Sequence, residues 1–311
     1  MPSLKQAAAS DTPVVFVHNG PAQVIVTACA AQARAAGCQR IFVISDRIGP
    51  WALLPDVEFF PFSNAERFGA REFRSIFVNY SSYPAPYAAV IFEKFFALRA
   101  LFAMHGLERI LFLDSDLLLF TPARDLLALH PCDFSGTDCD ADDHQTVSPH
   151  CMFLTPAVCD RICEDLSAAY GNEASHRRLQ EMWERKKAVN PIWGVCEMDF
   201  LAAVRDSGEF RYAKLNQGNP RVDAAMVDPE GFVCANGLKV VDFENGLPYC
   251  TLEATGERIR FHALHMQGYV KHLVLHYARI NGWLKRALYL LLKLEGRGWI
   301  KWPKARPLPT P

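Results

Sequence analysis

The sequence predicts an α/β protein whose sheet begins parallel and takes mixed additions later. Three observations predict it. Short β-branched and aromatic runs alternate with segments of helical length from Val14 to Phe120. Half of the 311 residues are apolar and 22% are charged, which is ordinary globular usage. One wholly apolar run ends in a pair of acids, Asp114 and Asp116, as the ligand-bearing strands of open α/β sheets do. A chain of this length buries about 75% of the surface its unfolded form exposes, so folding needs no disulfide or metal staple.

Residues 14–17 form a β-branched run closed by the turn cluster His18-Asn19-Gly20-Pro21. Residues 22–36 are alanine-rich and favour helix, with Gly37 as C-cap, and 40–46 read as a second strand. A strand, a helix of this length and a strand make a parallel pair. Residues 57–60 give a third short strand, whereas 64–82 show no clean period. Apolar residues recur at helical spacing over 88–105 (Ile91, Phe95, Leu98, Phe102), and Gly106 ends that helix. Residues 109–114 are the fourth strand, continuing through Ser115-Asp116 into 117–120, and Thr121-Pro122 opens another helix.

The second half is less regular. Residues 133–143 are acidic and polar and read as a loop; Cys151–Leu154 reads as a strand. Helices are predicted over 156–170, 174–189 and 194–204, and late strands over 239–243 and 258–265. No repeat or low-complexity linker divides the chain, so one domain is expected over 13–272. A tail of 1–12 precedes it and a basic segment of 273–311 follows.

The net charge of -1 excludes a wholesale polyanion binder, and no nucleic-acid partner is expected. The charge is uneven, with seven cations against Glu295 alone over residues 284–306. Residues 283–294 are leucine-rich, and Trp283, Trp299 and Trp302 lie among those cations. That pattern suits an interfacial helix on an anionic membrane face, or else a core-packed C-terminal helix before a proline-rich tail. The ten cysteines are scattered without a C-x-x-C and read as small buried hydrophobes, so a reducing cytoplasm is expected. Residues 1–13 carry no apolar signal core, and no apolar run reaches the ~18 residues that span a bilayer. The expected location is cytoplasmic, peripheral on the membrane face.

Asp114-Ser115-Asp116 is a D-x-D with no other charge from Ile110 to Phe120. Two carboxylates at a strand end are costly without a cation, and Mn²⁺ or Mg²⁺ suits oxygen ligands shared with phosphates. A solvated acidic turn is the other reading. The Asp138–Asp143 cluster mimics a Ca²⁺ loop only at its start: Asp143 and Pro149 stand where glycine and glutamate belong, so a solvated loop is expected. His265, Gly268 and Lys271 stand at H-x-x-G-x-x-K spacing after a strand. There an imidazole can bind metal, a glycine admits a phosphate and a lysine neutralises it, unless His265 and Lys271 are surface groups. Glu93, Lys94 and Arg99 could meet a nucleotide or form surface ion pairs. Glu197 and Asp199 could be helix-capping acids, sugar-hydroxyl acceptors or a general base.

Taken in order over roughly 14–272, these motifs resemble the GT-A fold of nucleotide-diphospho-sugar glycosyltransferases, a Rossmann-like mixed, mainly parallel sheet flanked by helices. The H-x-x-G-x-x-K resembles that of glycogenin-like and bacterial lipopolysaccharide hexosyltransferases. Those enzymes usually carry Asp-Gln-Asp where this chain has Glu197-Met198-Asp199, and the segment between Phe73 and Glu93 is unlike theirs. The resemblance implies Mn²⁺ or Mg²⁺ on Asp114, Asp116 and His265, with Lys271 on the pyrophosphate of a UDP-sugar. It also implies a donor site drawing on His18, Asn19, Lys94, Arg99, Asp114, Ser115 and Gly268, with Glu197 or Asp199 as base. The acceptor would be a glycan or glycolipid. A nucleotidyltransferase acting on sugar phosphates is the alternative, and a catalytically inactive sugar-nucleotide-binding protein a third.

Overall fold

In the computed structural model, which describes residues 12–141, 144–298 and 300, β1 (Val14–His18) enters α1 (Gln23–Ala35). β2 (Ile41–Ser45) and β3 (Val57–Pro61) follow. The aperiodic stretch becomes a 3₁₀ turn over Phe62–Phe68 and a short helix, α2 (Ala70–Ile76). Next come α3 (Ala85–His105), β4 (Ile110–Asp114), β5 (Leu117–Leu119) and α4 (Ala123–Leu129). β6 (Phe134–Ala141), β7 (His144–Ser148) and β8 (Cys151–Leu154) lead to α5 (Pro156–Ala169), α6 (Glu173–Val189) and α7 (Glu197–Asp206). The remainder is β9 (Tyr212–Lys214), β10 (Arg221–Val222), β11 (Cys234–Ala235), β12 (Leu238–Lys239), β13 (Asp242–Glu244), β14 (Leu247–Thr251) and β15 (Arg258–His265), then α8 (Val274–Tyr277) and α9 (Gly282–Gly296).

The central sheet runs β3-β2-β1-β4-β8-β6-β7, with β9 beside β6. Its β3-β2-β1-β4 half is parallel, and β8 joins β4 antiparallel. A smaller sheet runs β10-β15-β14-β13, with β5 laid against β15. The mixed, mainly parallel sheet flanked by helices is therefore the one the sequence predicts. Period-two alternation divides its core. Val14, Phe16, Ile41, Val43, Leu111 and Leu113 face α1 and the smaller sheet. Val15, Phe42, Ile44 and Phe112 face α3, α5 and α7.

α3 is apolar almost all round because it is wedged between the sheet, residues 62–76 and α5. The buried Glu93 on it is held by two Arg74 nitrogens at 2.6 and 2.7 Å, a fork that satisfies the carboxylate inside the core.

One expectation is corrected. Residues 134–141 are strand β6, not loop. Asp138 stays in that strand because Tyr212 Oη donates to it (2.6 Å) and Arg205 (3.3 Å) and Lys214 (3.4 Å) neutralise it. The described part of the basic C-terminal segment packs against the domain. Val274, Leu275, Ala278 and Leu288 join the core that holds α1. Glu295 accepts the Gln23 N–H at 2.9 Å, and Gln32 Oε1 accepts that of Arg279 at 2.6 Å. Residues 1–11 of the expected 1–12 tail, Asp142, Asp143, Trp299 and residues 301–311 lie outside the described residues. All ten cysteines are free thiols and seven are buried. No helix among the described residues is long and apolar enough to cross a membrane.

Candidate functional site

Strand register assembles the site. Asp114 ends β4, and β5 pairs antiparallel with β15 so that Leu117 lies opposite His265. The Met266 N–H donates to the Asp116 carbonyl at 3.0 Å, which locks the acidic turn beside the end of β15. One ligand atom each from Asp114, Asp116 and His265 thus lie within 4.8 Å of one another, a grouping found nowhere else among the described residues.

His265 is oriented from several sides. Its Nδ1–H donates to the Ala224 carbonyl at 2.7 Å, which leaves Nε2 turned toward Asp116, 3.6 Å away. Its backbone N–H donates to Asp223 Oδ2 at 3.1 Å. Asp223 is fully buried, and its charge is met by the buried Lys239 at 2.6 Å, which also pairs with Glu230. Beneath His265 lies the His150 ring, 4.1 Å away and only 16° from parallel. His150 donates from Nε2 to the Asp223 carbonyl at 3.0 Å and accepts at Nδ1 from the Ser148 hydroxyl at 2.8 Å. Burial pushes His150 well below the usual imidazole range, so it stays neutral.

The charges at the centre hold one another. Burial raises the Asp116 carboxyl, but His265 and Lys271 outweigh it and the group falls below the carboxylate range. Burial lowers His265, and there Asp116 and Asp114 win, so its affinity for protons rises. Lys271 reaches Asp116 Oδ2 at 2.9 Å because Gly268, at φ +68°, turns the chain back in a left-handed conformation that suits glycine. Across the cleft, Lys94 on α3 pairs with Glu197 at the start of α7 (2.9 Å), both side chains about nine-tenths buried. Burial raises the Glu197 carboxyl, and Lys94 only partly offsets it. His18 Nδ1 lies 3.0 Å from the Ser115 hydroxyl, and burial lowers this imidazole to about 4. His18 Nε2 and Asn19 Oδ1 are buried without a partner.

Two carboxylates and an imidazole form a hard oxygen and nitrogen set of the kind Mn²⁺ or Mg²⁺ accepts, with Lys271 beside it for an anionic ligand. The residues fit such an ion. Two predicted site residues lie elsewhere. Asp199 caps α7 by accepting the Cys196 N–H at 2.9 Å, and its other oxygen is bound by Lys186. Arg99 pairs with Asp160 at 2.7 Å, in a separate cleft of about 660 Å³ between α3 and the start of α5. His150, Asp223, Lys239 and Tyr87 were missed. Tyr87 is 56% exposed and within electrostatic reach of Lys271, Glu197 and Asp114. Its position in an aromatic segment, Tyr80-Ser-Ser-Tyr83-Pro-Ala-Pro-Tyr87, is the one sequence signal that could have found it.

No protein-family model matches the chain, and no curated protein matches it. Among solved structures, the apo bifunctional glycosyltransferase WbbM aligns at a TM-score of 0.49 and 12% identity, over 93% of this chain and 53% of its own. Mouse xyloside xylosyltransferase 1 aligns at 0.45 and 13%, over 66% of this chain and 85% of its own. The apo glycosyltransferase GlyE of Streptococcus pneumoniae aligns at 0.41 and 12%, over 95% and 65% respectively. At identities this low and TM-scores below 0.5, no activity carries over from these neighbours to this chain.

Proposed function

We propose that the chain is a metal-dependent glycosyltransferase that moves a hexose from a nucleotide-diphosphate sugar of the UDP class to a glycan or lipid-linked acceptor. The observation that supports this is the convergence of Asp114, Asp116 and His265 with Lys271 at the carboxyl end of the sheet. A bound Mn²⁺ or Mg²⁺ on those three residues supplies Lewis-acid neutralisation of the diphosphate. Lys271 takes up the charge that grows on the leaving diphosphate as its bond to the sugar C1 breaks. The acceptor hydroxyl forms the new bond to C1 and loses its proton. We assign that proton to Glu197, whose proton affinity burial raises and which Lys94 holds at 2.9 Å. The unpartnered atoms of His18 and Asn19 are free to hydrogen-bond the donor. The outer face of α9, with Trp283, Arg286, Leu290, Lys293 and Arg297, offers contact with an anionic membrane and favours a cytoplasmic, peripheral enzyme.

A nucleotidyltransferase would want a glycine-rich basic loop after β1. This chain has His18-Asn19-Gly20-Pro21 there, with one glycine and no lysine. Thermal stabilisation tests the donor assignment directly. UDP-sugars with Mn²⁺ should raise the melting temperature, since a ligand at 100 times its Kd adds about 2.7 kcal/mol. Removing the metal should abolish the rise. Stabilisation by no UDP- or GDP-sugar under any metal condition would overturn the proposal, and binding without release of free UDP would favour an inactive binding protein.

A further inference from the structure

Beside Glu197 lies a cleft of about 310 Å³ that the metal and donor groups do not use. Two loops build it. The Val195 N–H donates to the Tyr80 carbonyl at 2.9 Å, and the Ser82 hydroxyl donates to that of Ile192 at 2.8 Å. A Cβ on Gly194 would lie 2.5 Å from the Ser81 Cα, so this approach of one backbone to another needs glycine. Tyr83, Ile192, Trp193 and Met198 supply apolar and aromatic walls; Thr146 supplies a hydroxyl, and the Ser81 hydroxyl, which donates to Asn79 Oδ1 at 2.8 Å, can only accept. The one charged residue in the lining, Lys186, is bound by Asp199 and donates to the Gly194 carbonyl at 3.2 Å.

Position and charge together narrow the occupant. Cys196 and Met198, which bracket Glu197 in the chain, both line the cleft. On its other side the Tyr83 ring meets that of Tyr87 edge-on at 5.4 Å, and Tyr87 is within electrostatic reach of Asp114 and Lys271. The start of α7 and the Tyr83–Tyr87 pair thus connect the cleft to the site. Its lysine is already neutralised, so it offers no cation to a phosphate or a carboxylate. A pyranose ring has apolar C–H faces and a polar rim, which match aromatic walls with a few hydroxyls. The volume suits one or two such rings.

We propose that this cleft is the acceptor subsite and holds a neutral pyranose stacked on Tyr83 and Trp193; the assignment rests on the glycosyltransferase reading. The test is an NMR titration of the full chain, with UDP and Mn²⁺ present, by methyl β-D-glucopyranoside, methyl β-D-galactopyranoside and the corresponding methyl uronates. At least one neutral glycoside should bind, with its uronate weaker by about tenfold or more. Tyr83→Ala and Trp193→Ala should each weaken the neutral glycoside by about tenfold, and Tyr83→Phe should retain binding. Ile192→Lys, at a position two-thirds exposed and so harmless to folding, should shift preference toward the uronate. Uronates binding as tightly as neutral glycosides to the wild-type chain, alanine variants that bind as wild type does, or no glycoside binding at all would overturn the subsite. UDP binding, read in the same samples, separates the two assignments: a wild-type chain that binds glycoside but not UDP refutes the donor, not the cleft.

Discussion

Asp116 is the most heavily committed side chain of the site. One carboxylate oxygen contacts Lys271 at 2.9 Å, the other faces His265 Nε2 at 3.6 Å, and its carbonyl holds Met266. Asp116→Asn keeps the shape and the backbone bond but removes an anionic ligand, so the variant should fold and bind Mn²⁺ weaker by on the order of a hundredfold, with transfer lost. Calorimetric Mn²⁺ titration beside circular dichroism checks this, and near-normal Mn²⁺ affinity in a folded variant would end the metal assignment. His265→Ala should likewise raise the Mn²⁺ requirement more than it alters donor selectivity. These residues were legible because a charge in an apolar run has few structural uses. Asp199 takes the helix-capping reading among those the sequence offers, as the reciprocal partner in a capping box whose N-cap is Cys196. Arg99 was legible in principle. It follows Lys94 by five residues, about 140° around the helix, and so cannot share the face that Lys94 turns to Glu197.

Periodic elements read well from sequence, and elements stabilised from a distance did not. α3 and β15 announce themselves by apolar spacing, but β6 looks like a loop until Arg205 from α7 and Lys214 from β9 reach Asp138. α9 is a composite of both readings made of it. Leu288 is buried against the core, whereas Trp283 is 77% and Leu290 60% exposed, and Arg286, Lys293 and Arg297 lie on the exposed side. Removing α9 would strip cover from α1 and confound the result, so charge reversal is the better test. The chain should co-sediment with vesicles containing anionic phosphatidylserine. Arg286→Glu, Lys293→Glu and Arg297→Glu together should release it, since each cation contributes roughly 1 kcal/mol near such a surface. High salt should act the same way. Sedimentation unaffected by the reversal, or absent in the wild-type chain, would sink the membrane assignment.

In the molecule as a whole the chain leaves the central sheet at the end of β4 and enters the smaller sheet as β5; the seam where β5 pairs with β15 ends at Asp114, Asp116 and His265. The parallel half could be read from sequence because its strands are consecutive and apolar. The seam could not, because it joins residues more than 140 positions apart, and one of its supports, His150 on the Asp223 carbonyl, spans a further 73 positions. Building the seam also buries imidazoles. His262, next to it in β15, takes a bond with the Thr121 hydroxyl at 2.8 Å, and burial, with Arg260 close by, lowers it from its usual 6.5 to about 4. Above pH 6.5 this ring is neutral folded and unfolded, so it adds no pH dependence. Between 6.5 and 4 only the unfolded chain binds the proton, and stability falls as pH falls through that window, by up to about 3 kcal/mol from this group. The neutral, buried His150 acts with the same sign. These two rings should therefore lower urea midpoints as pH falls from 6.5 to 4.5, against the opposite contribution of His265, whose proton affinity rises on folding. His262→Gln keeps a hydrogen-bond partner for Thr121 but cannot titrate, so its stability should change with pH by about one proton less near pH 5. Parallel pH profiles for the two proteins would show that His262 takes up its proton in the folded state as readily as in the unfolded one.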